Sequence, residues 1–210
     1  MFAVSAAASA AQSPAALMAS SIAAGEAEGS VHYVGHGLLG TTAITITGDA
    51  ALSEGRQLIT FRKSGHTGHG TELVINNVVY LKADAIVLAN FTHIAVTMAD
   101  KWLSLRPGAK DYASLADAIR IKSVMSELRM SAPVGLVAGR TIGRIHTIGI
   151  RSTNPQGGVK TTETLYVRAT GTPLPVETSF DQGSATNTIT FSRWKEPVRL
   201  AIPHAATPVR

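Results

Sequence analysis

The chain has 210 residues, of which 45% are hydrophobic and 16% charged, a composition that fits one domain with a sizeable core and excludes disorder for most of its length. It contains no cysteine, which excludes disulfide bridges, cysteine-ligated zinc, iron–sulfur clusters and thiol nucleophiles. The net charge is only +5, and no run of four or more basic residues occurs, so no nucleic-acid partner is predicted.

The first two dozen residues are rich in Ala and Ser and carry no charge. They lack the basic segment and the strongly apolar segment of a secretory signal, although part of them resembles the small-residue end of one. We predict that residues 1–12 are the flexible remnant of an export leader and that residues 13–210 form a single domain. Ser13-Pro14 predicts the start of a short Ala-rich helix that ends at Gly25. No stretch of about 18 strongly apolar residues occurs, so no transmembrane helix is predicted.

Alternating apolar and polar residues begin at Val31, as in half-buried strands. Asn76-Asn77 lies between two such segments and favours the positive φ of a tight hairpin, and Ser64-Gly65 marks another bend. We predict four or five antiparallel strands up to Ala83. A second strand-rich region begins near Thr141, with a turn predicted at Asn154–Gly158.

Between the two strand regions, residues from Asp84 to about 139 are predicted to form a helical insert. Asp84 can cap a helix that reaches Phe91, and Asp111–Arg129 has the pattern of a helix in one or two pieces. The apolar side of this second helix is wide, so a sheet face must cover it. The sequence therefore predicts an α+β fold in which the N-terminal helix and the inserted helices pack on one face of a curved antiparallel sheet.

An apolar cavity remains between sheet and helices if the helices cover that face loosely. We predict that its wall is formed by apolar residues of the inserted helices and of the strands facing them. The predicted ligand-binding residues are Leu81, Phe91, Ile119, Val124, Met125, Leu128, Leu165, Val167 and Phe191.

Catalytic signatures are missing from the sequence. It has no Gly-x-Ser-x-Gly elbow, no phosphate-binding Walker loop and no His-Glu-x-x-His motif, so no enzyme, no catalytic residue and no cofactor is predicted. His66 and His69 lie in the segment Gly65–Gly70, and His32 and His36 lie in an early strand. Imidazoles can bind zinc or copper where three or four converge, but two on a glycine-rich turn are more typical of a flexible polar tip, so no metal site is predicted.

The excess of basic over acidic residues is concentrated in one part of the sequence. Between Lys101 and Arg151 there are nine basic residues and three acidic ones. One interpretation is a solvated surface, and the other is a collar that contacts anionic head groups or an anionic membrane surface. The basic residues are Lys101, Arg106, Lys110, Arg120, Lys122, Arg129, Arg140, Arg144 and Arg151.

Several segments resemble the LolA/LppX/LprG superfamily, over roughly residues 15–204. Tyr166–Glu177, Thr188–Val198 and Ile202-Pro203 resemble its C-terminal half, and Val78–Lys82 and Lys101–Leu103 resemble its central strand and the segment after its first inserted helix. The resemblance implies a half-barrel antiparallel sheet wrapped around helices, with a hydrophobic cavity. Superfamily members carry lipids, glycolipids or lipoprotein acyl chains across the cell envelope, and many are exported actinobacterial lipoproteins. The present sequence has no lipobox cysteine, and the superfamily has no shared catalytic residues to carry over.

The first functional hypothesis is therefore a non-catalytic carrier of a lipid, glycolipid or acyl chain in the cell envelope. The alternative is an envelope sensor or interaction domain of the same fold, which regulates signalling without transporting lipid. An enzyme is the third and least favoured hypothesis.

Overall fold

Thirteen strands form one curved antiparallel sheet in the computed structural model, which describes residues 12–156 and 159–209. The first six strands are β1 (Ser30–Leu39), β2 (Thr42–Ala51), β3 (Gly55–Lys63), β4 (His66–Ile75), β5 (Val78–Ala83) and β6 (Leu103–Leu105). The others are β7 (Val134–Val137), β8 (Thr141–Ile142), β9 (Ile145–Gln156), β10 (Val159–Arg168), β11 (Pro175–Gln182), β12 (Ala185–Ser192) and β13 (Thr207–Val209). The helices are α1 (Pro14–Ala27), α2 (Ala85–Phe91), α3 (Tyr112–Ala118) and α4 (Ile121–Ser126), with a 3₁₀ turn at Val96–Met98.

The strand order is β13-β6-β5-β4-β3-β2-β1-β12-β11-β10-β9-β7, with β8 paired to β9. Two meanders thus join where β1 pairs with β12, and the sheet stays open rather than closing into a barrel. Within the described residues, β6 and β13 form the only parallel pair. The predicted α+β class with a curved antiparallel sheet is confirmed.

Helix α1 begins as predicted, because the Ser13 hydroxyl accepts a hydrogen bond from the amide of Ala16 and Pro14 occupies the first helical position. The predicted end at Gly25 is wrong. Gly25 is buried inside the helix, where a Cβ atom would overlap the sulfur of Met125. The helix instead ends before Gly29, whose φ of 77° lies in the left-handed region that favours glycine. No helix of the described chain is long and apolar enough to cross a membrane.

The predicted hairpin at Asn76-Asn77 and the predicted bend at Ser64-Gly65 are confirmed. Ser64-Gly65 and Asn76-Asn77 each have positive φ at both positions, the geometry of a two-residue turn that matches the strand twist. The histidine-rich turn is wrong, because β4 begins at His66 and His69 pairs with Thr60 of β3. The turn at Asn154–Gly158 is also wrong for its first three residues, which continue β9, while residues 157 and 158 lie outside the described residues. The leader prediction covers residues 1–12, of which residues 1–11 also lie outside the described residues.

The insert from 84 to about 139 is only partly helical. The Asp84 carboxylate caps α2 through the amide of Val87, as predicted. Residues Leu103–Leu105 instead add β6 to β5, because both leucines are fully buried and Ser104 alternates with them. Residues Val134–Val137 add β7 beside β9.

Two apolar clusters lie between the sheet and its helices. One lies beneath α1 and α4 and contains Met125, Leu165 and Phe191. The other lies beneath α2 and α3 and contains Leu81 and Leu103. Both occupy the same face of the sheet, because directly paired residues of antiparallel strands point to one side. One row of such pairs crosses this face, in the order Leu103, Leu81, Glu72, Gln57, Gly48, Tyr33 and Phe191.

Gly48 has a specific role in this row. A Cβ atom here would overlap the ring of Tyr33 and lie 2.8 Å from the carbonyl oxygen of Arg56. The missing side chain therefore lets the Tyr33 ring cross β2 and reach Gln57 on β3, where its hydroxyl donates a hydrogen bond of 3.0 Å.

We expect Gly48→Ala to lower the free energy of unfolding by about 1–3 kcal/mol, because it overpacks the Tyr33 ring against the backbone. Gly135→Ala is the matched control, since a Cβ on this strand glycine meets nothing within 4 Å. Urea denaturation should show a change within about 0.5 kcal/mol for the control. Equal stabilities of the two variants would contradict the close approach of Tyr33.

Candidate functional site

A cavity of about 730 Å³ lies between the concave face of the sheet and helices α3 and α4. Its volume falls in the range of small-molecule sites, which is roughly 300–1,000 Å³. The sheet side of its lining comprises Tyr33, Ile46, Gln57, Glu163, Thr178, Ser179, Phe180, Asn187, Ile189 and Phe191. The helical side comprises Ser114, Asp117, Ala118, Val124, Glu127, Leu128 and Met130.

A second hollow of about 370 Å³ continues the cavity along β1, β2 and β12. The two share lining residues on three strands, among them Tyr33, Ile46 and Ile189. At its far end, Leu38 and Leu39 are 49% and 63% exposed. We refer to the cavity and the second hollow together as the trough, a mainly apolar groove that runs from beneath the helices to the β1–β2 hairpin.

The helical cover is held to the sheet at the junction of α3 and α4. A Cβ atom on Gly55 would overlap the carbonyl oxygen of Ile119, so only glycine allows this approach. The next residue, Arg120, forms a bridge with Ala51 at the end of β2. Its guanidinium donates to the side-chain oxygen of Asn77 at 2.5 Å, in the β4–β5 turn. Helices α3 and α4 are therefore held over β2 and β3 at their junction, in addition to the packing of α4 on α1.

The structure brings three of the nine predicted site residues to the cavity wall: Val124, Leu128 and Phe191. Met125, Leu165 and Val167 are fully buried in the cluster beneath α1 and α4. Leu81 and Ile119 are buried in the other cluster. Phe91 is 40% exposed and packs edge-on against Phe61, with ring centroids 5.2 Å apart.

Sequence reasoning missed Tyr33, Ile46, Gln57 and Phe180 on the wall. The available signal was the alternation in β1 and β2, which places Tyr33 and Ile46 on one face. Gly35 and Gly37 follow Tyr33 on the same face of β1, contribute no side chain there, and both line the second hollow. This depth in the trough is a consequence of glycine at alternating positions.

A chain of buried polar groups borders the cavity. The Tyr33 hydroxyl donates to Gln57 Oε1, and Gln57 Nε2 donates to Glu72 Oε2 at 2.8 Å. Glu72 is fully buried, and its Oε1 atom has no partner among the described residues. Burial raises the pKa of Glu72 to about 8, although the bond from Gln57 opposes this shift. The carboxyl is therefore largely protonated at neutral pH, and Gln57 is held in place from both sides.

The charged residues that line the cavity are all acidic. Asp117 and Glu127 on the helical side and Glu163 on β10 contribute to the lining, and no Lys or Arg lines it within the described ranges. The nine basic residues of the predicted collar lie elsewhere. Arg120 anchors the helices, and Arg140 pairs with Glu177 and stacks on the Tyr166 ring at 4.4 Å. The collar therefore does not surround the cavity.

Within residues 12–156 and 159–209, no group of three or more His, Asp or Glu side chains is arranged to hold a metal ion. His66 and His69 are exposed on β4. Their separation along a strand places them on opposite faces of the sheet, because they are three residues apart.

Comparison with known proteins identifies the fold. No family model matches the sequence, and no curated protein matches it. LprF from Mycobacterium bovis has a TM-score of 0.59 at 17% identity, covering 92% of this chain and 97% of that one. The lipoprotein LppX from Mycobacterium tuberculosis has a TM-score of 0.58 at 19% identity, covering 90% of this chain and 98% of that one.

This chain has the LppX/LprF fold. The half-barrel sheet implied by the superfamily resemblance is confirmed. The LppX/LprF likeness extends over nearly the whole chain, so it includes the strands and helices on both sides of the cavity.

We expect the wild type to lose stability relative to Glu72→Gln as the pH rises from about 5 to about 8. The unfolded chain releases this proton near 4.5, whereas the folded chain retains it to about 8. The stability associated with the protonated carboxyl is thus complete below 4.5 and is lost through this window, by about 1 kcal/mol per pH unit. Urea denaturation across the range measures the difference between the two proteins.

Glu127→Gln, which removes an exposed carboxylate, is the control and should follow the wild-type curve. Parallel curves for wild type and Glu72→Gln would show that Glu72 ionises normally and would contradict its burial.

Proposed function

We propose that the chain binds the acyl part of a lipid or glycolipid in the trough and carries it within the cell envelope, without catalysing a reaction. The observation that supports this proposal is the trough itself, a mainly apolar groove that the helices leave partly uncovered. Apolar surface in contact with water is unfavourable, and each buried methylene of a ligand contributes about 0.8 kcal/mol. An acyl chain is a ligand whose chemistry matches the apolar part of this lining.

The proposed contacts follow from the wall. Val124 and Leu128 contact the chain from the helical side, and Ile189 and Phe191 contact it from β12. Of the other residues predicted from the sequence, Met125, Leu165 and Val167 pack in the cluster behind this wall. Leu81 and Ile119 are buried in the other cluster and have no proposed contact with the chain.

The acidic residues that line the cavity restrict the kind of head group that fits there. Glu127 and Glu163 would repel a phosphate at the cavity, while Asp117 is paired with Arg120 at 3.7 Å, so an uncharged or amine-bearing head group fits better than an anionic one. The exposed basic residues instead face outward, where we propose that they contact an anionic membrane surface. Export to the envelope is part of this proposal and is supported by the likeness to the lipoprotein LppX.

Ile189→Trp tests acyl-chain binding. Ile189 is half-buried and lines both parts of the trough, so the larger ring should fill the channel rather than strain the core. We expect the affinity for a fluorescent fatty-acid probe to fall at least tenfold, about 1.4 kcal/mol, while the melting temperature stays within a few degrees of wild type.

Leu58→Trp is the matched control. Leu58 is 53% exposed on β3 and does not line the trough, so the variant should retain both probe binding and stability. Unchanged probe binding in Ile189→Trp would place the site elsewhere. Absence of probe binding in the wild type would favour the sensor or interaction domain over the carrier.

A further inference from the structure

A second row of polar residues lies on the opposite face of the sheet. His32, Asp49 and Arg56 are direct partners across β1, β2 and β3, and each is the sequence neighbour of a residue in the row beneath the helices. The segment after β12 passes beside them. Ser30 of β1 fixes this segment, because its hydroxyl donates to the carbonyl oxygen of Glu196 at 2.7 Å.

A hollow of about 260 Å³ lies between this row and the segment. Apart from apolar residues, it is lined by His32, Asp49, Arg56, Arg193, Glu196 and Arg199. We call it the arginine hollow. It shares no lining residue with the trough, so its chemistry is independent of acyl-chain binding.

Asp49 organises the floor of the arginine hollow. Its carboxylate accepts from His32 Nδ1 at 2.6 Å and from Arg56 Nε at 2.7 Å, and His32 and Asp49 are 14% and 16% exposed. Partial burial alone would raise the pKa of Asp49, but these two hydrogen bonds and the charges of both partners outweigh it and hold the pKa below its usual value. Because Arg56 bonds through Nε, its terminal NH₂ groups are left for another acceptor.

The other two arginines of the hollow, Arg193 and Arg199, donate no hydrogen bond to a carboxylate of the described residues. Arg193 lies 3.9 Å from the nearest oxygen of Asp49 and of Glu196, too far for a hydrogen bond. Arg199 has no ion pair within 4 Å among the described residues. Three guanidinium groups against two carboxylates leave the hollow with a net positive charge and with more donors than acceptors.

We propose that the arginine hollow binds a phosphate group, carried by a soluble phosphate ester or by a lipid head group. Guanidinium groups bind phosphate oxygens through paired N–H donors and remain charged at every physiological pH. The hollow is too small for an acyl chain and head group together but accommodates a phosphate. The oxygen atoms of a bound phosphate would accept hydrogen bonds from the N–H groups of Arg56, Arg193 and Arg199 that have no acceptor in the hollow.

Isothermal titration calorimetry with inorganic phosphate and with glycerol 3-phosphate tests the proposal. We expect saturable binding to the wild type that weakens at least tenfold in Arg199→Gln and in Arg193→Gln. Arg199→Gln breaks no ion pair of the described chain, so it should fold normally. Arg62→Gln is the control, because Arg62 lies exposed on the same face of β3 and the substitution changes the net charge equally.

Vesicle co-sedimentation then distinguishes the two sources of phosphate. Stronger binding to phosphatidylcholine vesicles containing phosphatidic acid than to pure phosphatidylcholine, reduced by Arg199→Gln and retained by Arg62→Gln, assigns the hollow to a lipid head group. Binding of glycerol 3-phosphate with no vesicle preference assigns it to a soluble ester. The proposal is overturned if the wild type binds neither soluble phosphate nor phosphatidic acid vesicles, or if Arg62→Gln loses as much binding as Arg199→Gln.

Discussion

The hydrogen-bonded chain from Tyr33 through Gln57 to Glu72 lies in the middle of the sheet face that the helices cover, and the Tyr33 hydroxyl also lies 3.4 Å from the carbonyl oxygen of Ala118 at the end of α3. A buried polar group is stable only while its partners are in place, so the side chains of this row are fixed in position. This polar chain also lies between the two apolar clusters. Tyr33 at one end belongs to the first cluster, and Leu81, the strand partner of Glu72 at the other end, belongs to the second. The clusters therefore do not merge into one continuous core, and the cavity opens on the Tyr33 side of the boundary.

The helices α3 and α4 are too short to cover the whole sheet, and this explains why the trough stays open. The twelve strands of the main strand order, which omits β8, are spaced about 4.8 Å apart and give a sheet roughly 50 Å wide along its curve. Helices α3 and α4 have seven and six residues, so each is only about 10 Å long. They are fixed over β2 and β3 by the contact of Gly55 with Ile119, and they cannot also cover the far ends of β1 and β12. The trough is thus a consequence of an extended sheet with a short helical cover.

Local features were predictable from the sequence, and long-range ones were not. Asn76-Asn77, Ser13-Pro14 and Asp84 were identified because turns and helix caps depend on neighbouring residues. The ends of other elements were misplaced because tertiary contacts decide them: Gly25 stays helical where Met125 packs on it, and Leu103–Leu105 becomes a strand beside β5. The cavity wall depends on the pairing of Tyr33 with Phe191, which are far apart in sequence. Periodicity identified Phe191 and Leu128 as inward-facing but could not separate the cavity wall from the fully buried Leu165 and Val167.

Native mass spectrometry of the purified protein, before and after incubation with a membrane lipid extract, tests the central claim most directly. If the trough holds an acyl chain, the spectrum contains the polypeptide with an added mass that tandem fragmentation releases as a lipid. The Ile189→Trp variant should show this added mass at a much lower fraction than Leu58→Trp. A spectrum with only the bare polypeptide mass, both before and after incubation, would contradict acyl-chain binding in the trough.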